Sequence, residues 1–258
     1  MNDEFAGMVA VVTGAAQGIG RAIAAHLHAR GARLILVDCD AAGVAAATQT
    51  MRTRDGAMVN FSVADLADPA AIEALFEMVA TVEPRVDILV NNAGIEVDTP
   101  FESITAELFD RVIAVNLRAP LLVCQALVPL FPASGGTIVN ISSIHSDHAF
   151  PNAIPYACSK AGLVAQTRNL ALELAPRHIR VNAVCPGYID TPMWDESLRV
   201  VSDPAAVASY IAALHPLGRR GVPEDVASAV AYLASPQTTW VTGTCLVVDG
   251  GLTVRTHA

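Results

Sequence analysis

Tyr156 and Lys160 stand four residues apart, and Lys160 is the only lysine in a chain whose other cations, histidine aside, are arginines. On a helix, positions i and i+4 share a face, so the phenol and the ammonium would point the same way. Pro155, just before the tyrosine, suits the first turn of such a helix. A compact ammonium beside a phenol favours the phenolate, which is what a tyrosine needs to act as a general acid–base near neutral pH. A solvated helix face carrying the same two side chains has the same spacing, so the pair gains meaning only from its surroundings. Immediately upstream, the apolar run Thr137–Ile141 (TIVNI) reads as a strand that delivers Ser142 and Ser143 at its carboxyl end.

A second constellation opens the chain. Met8–Thr13 (MVAVVT) reads as a buried parallel strand, followed by Gly14-Ala15-Ala16-Gln17-Gly18-Ile19-Gly20 and a helical stretch over Arg21–Arg30. Strand, glycine-rich turn and helix make a phosphate site, because glycines let the backbone approach a pyrophosphate and a helix amino terminus offers unpaired N–H groups. Eighteen residues after Gly20, the next strand (Arg33–Val37) ends in Asp38, where a carboxylate can accept from both hydroxyls of an adenosine ribose. It would repel a 2′-phosphate, and Cys39-Asp40 brings no cation, so the expected cofactor is NAD rather than NADP.

The alternation continues with a helix over Ala41–Arg52, a strand over Ala57–Val63, a helix over Pro69–Val82 and a strand over Val86–Val90 that ends at Asn91-Asn92-Ala93-Gly94. Asp65, after the third strand, either bonds the adenine amino group or caps the next segment. Asn116 lies among Val112, Ile113, Val115 and Leu117, and a buried amide needs partners. A long helix over Pro155–Ala175 precedes the strand Arg180–Cys185 and Pro186-Gly187. Residues 188–217 carry weaker periodicity and the prolines and Trp194 expected of a substrate lid. Helix Pro223–Ala234 and strand Thr244–Val248 close the pattern. The reading is one doubly wound α/β domain over residues 1–258, with a parallel sheet and helices on both faces.

Composition narrows the partners. The chain has 258 residues, 53% apolar, and a mean hydropathy of +0.44, which rules out disorder. The apolar run Ala119–Phe131 is broken by Pro120, Gln125 and Pro129 and is short for a membrane span. A net charge of −9 argues against nucleic acid or an anionic membrane as partner. Five scattered cysteines without a CxxC pair suggest free, buried thiols, with no metal site, and Cys158 is expected to serve packing. The start, Met-Asn-Asp-Glu, lacks a basic secretory leader, so a cytoplasmic protein is expected.

Taken together and in order, these residues resemble the classical short-chain dehydrogenase/reductase family over about Met8 to Gly251. Thr13–Gly20 looks like its TGxxxGIG loop, Asn91–Gly94 like its NNAG motif, and Pro186-Gly187 with Thr191 like its PGxxxT segment. Val241-Thr242-Gly243 and Val248-Asp249-Gly250-Gly251 match its carboxyl-terminal signature. The resemblance implies a Rossmann-like sheet of seven parallel strands, a homotetramer, and a catalytic set of Asn116, Ser143, Tyr156 and Lys160. In it, Tyr156 is the acid–base, Lys160 tunes it and bonds the nicotinamide ribose, Ser143 holds the substrate oxygen, and Asn116 positions a relay water. Ser142 is one residue out of register and is structural. The resemblance also puts Leu66, Pro186, Gly187, Ile189 and Thr191 along the cofactor, with Asn92, Ala93 and Gly94. For the small-molecule substrate, Glu96, His145, His148, Asn152 and Trp194 are candidate contacts beside Ser143, a hydrogen-bonding set that suits a sugar or polyol. His215 is left to a structural motif. The alternatives are a 3-oxoacyl carrier-protein reductase and a dinucleotide-sensing protein without catalysis.

Overall fold

Seven strands lie in one parallel sheet of order β3-β2-β1-β4-β5-β6-β7. The computed structural model describes residues 3–55, 58–198 and 202–255. Its strands are β1 (Val9–Thr13), β2 (Arg33–Asp38), β3 (Val59–Val63), β4 (Ile88–Asn91), β5 (Gly136–Ile141), β6 (Ile179–Pro186) and β7 (Cys245–Val248). Runs such as VAVVT in β1 are buried at every position, because helices cover both faces of the sheet and leave no polar side for alternation.

On one face α1 (Gly18–His28), α2 (Ala41–Asp55) and α9 (Pro223–Ala234) pack Ile23, Leu27, Val44 and Val230 against Val12, Leu34 and Ile88. On the other, α3 (Pro69–Val82), α5 (Ala119–Leu127) and α6 (Ile154–Leu174) pack Leu75, Val123 and Ala171 against Val11, Ile35 and Leu89. Between α3 and α5 runs α4 (Ala106–Ile113), and a π-helical turn at Ala114–Arg118 joins it to α5. The continuous helical stretch Ala106–Leu130 is long and apolar enough to cross a membrane, contrary to the reading of that region as too short. More than half of its most apolar window is buried inside the fold, the pattern of a core helix.

Strand order reverses between β1 and β4, whose register pairs Val12 with Val90. Ligands of doubly wound sheets bind at such a reversal, beyond the carboxyl ends of the strands. Beyond β6, the segment read as a lid holds two helices, α7 (Pro192–Leu198) and α8 (Pro204–Leu214). Each begins with proline, and Asp203 caps α8 by accepting from Ala206 N–H at 2.9 Å. Two cysteines depart from the expectation of buried thiols. Cys39 and Cys158 are exposed, Cys158 because the outer side of α6 faces away from the sheet.

Candidate active site

The cradle at the reversal is built from backbone. Gly14 sits at φ 65°, and a Cβ there would stand 2.8 Å from the Ala93 Cα. A side chain on Gly20 would overlap the Gly14 carbonyl. Only glycine lets β1, its turn and α1 close this tightly. Asn92 fastens the neighbouring strand end to the turn, its Nδ2 donating to the carbonyls of Thr13 and Gly14 at 3.0 Å each. The Thr13 hydroxyl accepts from the N–H groups of Asn92 and Ala93.

These residues fit a nicotinamide dinucleotide. Helix α1 starts with no side chain bonded to its N-cap and no acid in its first turn, so exposed Gln17 and half-buried Gly18 and Ile19 frame an anion site. Thr191 lies across from it, its Cγ2 3.5 Å from where a Gly18 Cβ would stand. Asp38 is held in place at the end of β2. Its Oδ2 accepts from Ala16 N–H at 2.9 Å and its Oδ1 from Asp40 N–H at 3.0 Å, leaving lone pairs for ribose hydroxyls. Asp65 caps the segment after β3, accepting from Ala67 N–H at 3.0 Å and pairing with Arg111 at 3.1 Å, contacts that hold its carboxyl below the ordinary range. Leu66 and Ile189 are buried and pack into the two cores. Pro186 ends β6, and Gly187 N–H donates to Val248 at 3.0 Å.

Tyr156 and Lys160 share a face in the first turns of α6, as their spacing predicts. The Lys160 Nζ is buried, lies 5.5 Å from the centre of the Tyr156 ring, and donates to the Ile141 carbonyl at 2.8 Å. Burial brings its pKa down to about 8, partly offset by the charge of Glu96. The phenol moves the other way from the sequence expectation. Burial is the largest cause and pushes it up, Glu96 adds to the rise, and the Ser143 hydroxyl draws it back in part. Desolvation here outweighs a cation that sits beside the ring and spends one hydrogen bond on a strand carbonyl.

Ser143, just past β5, lies near enough to the phenol to favour its ionisation, and its hydroxyl accepts from His145 N–H at 3.2 Å. Ser142 donates to the Lys160 carbonyl at 3.0 Å, which is a structural task. Asn116 occupies the π turn, fully buried. Its Oδ1 accepts from Ile95 N–H at 2.9 Å, and its Nδ2 donates to the Ile95 carbonyl at 2.8 Å and to Ser159 Oγ at 3.0 Å. Ser159 in turn donates to the Tyr156 carbonyl at 2.7 Å. Asn116 therefore ties the loop after β4 to the helix that carries Tyr156.

Beyond the tyrosine, three loops converge. His145 stacks on Phe150 with ring centres 4.1 Å apart and stands edge-on to Tyr156 at 5.3 Å. Tyr188 meets Phe150 at 6.2 Å and Trp194 at 5.3 Å. Glu96 reaches in from the loop after β4, its Oε1 3.9 Å from His145 Nδ1. Burial raises the Glu96 pKa to about 7, with Asp98 adding to the rise, and burial lowers that of His145 to about 4. Two candidates fall outside this group. His148 is exposed beside Asp147, 3.9 Å away. Asn152 is exposed in a left-handed turn at φ 60°, and its carbonyl accepts from Thr99 N–H at 2.9 Å, so its contribution is to loop shape. Phe150, Tyr188 and Asp98 were missed from sequence. Nothing local marks them, since they meet only because β4, β5 and β6 end side by side.

Comparison with known proteins agrees with this arrangement. Residues 14–253 match the family described as Enoyl-(Acyl carrier protein) reductase. The chain is 40% identical over 257 residues to 3beta-hydroxysteroid dehydrogenase 1 of Eggerthella lenta, covering 98% of this chain and 97% of that one. It is 37% identical to D-threitol dehydrogenase of Mycolicibacterium smegmatis, covering 96% and 94%. The solved structure of Levodione Reductase superposes with a TM-score of 0.93 at 34% identity, covering 98% of this chain and all of that one. With its seven-stranded parallel sheet, glycine cradle and Tyr156–Lys160 pair, the chain belongs to the short-chain dehydrogenase/reductase family of oxidoreductases, which act on CH–OH groups with a nicotinamide dinucleotide.

Proposed function

We propose that the protein is an NAD-dependent oxidoreductase that interconverts a secondary alcohol, or a hemiacetal, with its carbonyl counterpart, and that its substrate is a small sugar or polyol. The observation that carries the reading is the buried Lys160 ammonium 5.5 Å from the Tyr156 ring, with Ser143 near the phenol, at the same carboxyl edge of the sheet as the glycine cradle. Bound in that cradle, NAD supplies the hydride acceptor and a positively charged ring that favours the phenolate.

Tyr156 takes the hydroxyl proton as the carbinol C–H leaves and returns it in the reverse direction. Ser143 donates to the reacting oxygen, on which charge grows during the transfer. Lys160 keeps a positive charge near the phenol and would bond the nicotinamide ribose. Asn116 holds the Ile95 backbone and Ser159, and a water next to its amide would continue the relay towards Lys160. Asp38 supports NAD over NADP, because no lysine or arginine follows it before Arg52 to neutralise a 2′-phosphate. The relatives are named for a 3β-hydroxysteroid, D-threitol and levodione, so their names do not choose a substrate. Glu96 and His145 beside the tyrosine favour the hydroxylated one. The family description favours a carrier-protein substrate instead, yet a net charge of −9 would repel an acidic carrier.

Four copies are inferred to assemble, and five free cysteines suit the reducing cytoplasm. The test is cofactor reduction with NAD and NADP across sugars, polyols and hydroxysteroids, for the natural chain and for Tyr156→Phe. Turnover with NAD should fall by about 100- to 10,000-fold in the variant while NAD affinity stays within a few-fold. Near-normal turnover in Tyr156→Phe, or a strong NADP preference, would overturn the reading.

A further inference from the structure

The loops after β4 and β5 leave a donor–acceptor pair beside Tyr156 that the fold itself does not use. His145 is 12% exposed and Glu96 28%, and His145 Nδ1 is shielded from solvent without a hydrogen-bond partner among the described residues. The ring cannot turn freely to find one, because it is stacked at 12° on Phe150 and abuts the Tyr156 ring. The Glu96 Oε1 is 3.9 Å from that nitrogen, beyond hydrogen-bond length. A buried polar atom without a partner is costly, of order 1–3 kcal/mol, so its persistence calls for an explanation. The charge of Glu96 is felt by Tyr156, Lys160 and Tyr188, which marks the carboxyl as part of the same enclosed space.

We infer that Glu96 and His145 together hold a second hydroxyl of the substrate, next to the carbinol presented to Tyr156, and that the substrate class is a compact 1,2- or 1,3-diol. This rests on Tyr156 and Ser143 holding the reacting carbinol. A hydroxyl can do what neither side chain can do alone. It donates to the Glu96 carboxylate while accepting from a protonated Nδ1, or donates to a bare Nδ1 while accepting from a protonated Glu96, closing the 3.9 Å gap through one oxygen. The Tyr156 and His145 rings are in edge-on contact, with centres 5.3 Å apart, which favours a second hydroxyl on the next carbon or the one after. A carboxylate or phosphate at that place would bring further negative charge into an enclosed space that already holds the carboxyl of Glu96 under the influence of Asp98, and is disfavoured. A plain alcohol would bury the pair still unpaired, the arrangement by which a hydrogen-bonding site rejects an analogue that lacks the group.

The experiment compares kcat/KM for cyclohexanol, 1,2-cyclohexanediol and 1,3-cyclohexanediol (cis and trans of each) in the natural chain, Glu96→Leu, Glu96→Gln and His145→Phe. His145→Phe keeps a flat ring against Phe150. NAD titration of each variant reports that the fold and cradle are intact. The natural chain should prefer at least one diol over cyclohexanol by about 30-fold or more, the range a hydrogen bond to a charged group provides. Glu96→Leu and His145→Phe should each bring that ratio to within about threefold of one, with Glu96→Gln between. Equal use of diol and cyclohexanol by the natural chain, or a preference that survives both substitutions, overturns the clamp and leaves the alcohol chemistry standing. No cofactor reduction with any of the five alcohols overturns the clamp and counts against the proposed function as well.

Discussion

Glu96 is a carboxyl placed where ionising costs stability. Its pKa rises to about 7 because burial disfavours the charge and Asp98 adds repulsion, while Lys160 lowers it. His145 stands 3.9 Å away, and Tyr156 and Tyr188 also feel its charge. A group with a raised folded pKa stabilises the fold below its unfolded pKa, and that stability is lost as pH climbs through the folded value. For Glu96 the window runs from about 4.5 to about 7. His145 has the opposite sign, since its pKa drops to about 4 and its penalty fades as pH rises towards 6.5. The two slopes overlap, so a single melting curve would hide them. The stability of the natural chain minus that of Glu96→Gln isolates the carboxyl. This difference should fall by about 1–3 kcal/mol between pH 4.5 and 7.5 in denaturant melts. A difference that stays flat across that range would show that Glu96 is solvated.

At the scale of the element, the turn from β1 into α1 is the part with least freedom. Gly20 lies in the first turn of α1, where a new Cβ would overlap the Gly14 carbonyl and stand 2.5 Å from Asn92 Nδ2. Gly20→Ala must push apart β1, α1 and the end of β4 together, so we expect about 1–3 kcal/mol of lost stability. NAD affinity should drop at least about 100-fold, because the first N–H groups of α1 lose their alignment. Titration by nicotinamide fluorescence and a thermal melt check both, and an alanine variant that binds normally would show the turn to be slack. This element was legible before any coordinates, since a valine-rich run, spaced glycines and a helical period sit in one stretch of chain. The same holds for Tyr156 and Lys160 on α6. The π turn at Asn116 was not, because one inserted residue shifts the helical phase without leaving a composition signal. Helices α7 and α8 hid behind weak apolar periodicity, although Pro192, Asp203 and Pro204 are start signals that could have been weighted more. The Glu96–His145–Phe150–Tyr188 group comes from three separate loops, and its convergence is a property of strand order rather than of any local pattern.

For the whole molecule, the question is what covers the last strand. β7 is the edge of the sheet, and an edge presents unpaired backbone groups that proteins usually shield. Val247 within β7 is 49% exposed, Trp240 before it in the chain 98%, Val254 after it 81%, and Tyr232 on α9, which packs beside β7, 54%. Large exposed apolar side chains in and near the last strand, in a chain of mean hydropathy +0.44, suit a contact between copies better than a solvated surface. The proposed tetramer makes this measurable. Light scattering at micromolar protein should give a mass near four times 26.9 kDa. A charge at Trp240, the most exposed of these side chains, should oppose burial, so Trp240→Asp is expected to shift the mass towards smaller species with the fold retained by circular dichroism. Each chain carries a net charge of −9, so repulsion between copies works against assembly and is screened by salt. Raising ionic strength should therefore strengthen association of the natural chain, the reverse of what an interface held by surface ion pairs would do. A natural chain that stays at 26.9 kDa through the salt series would mean that the apolar margin around β7 is not a subunit contact, and that the high hydropathy belongs to the core alone.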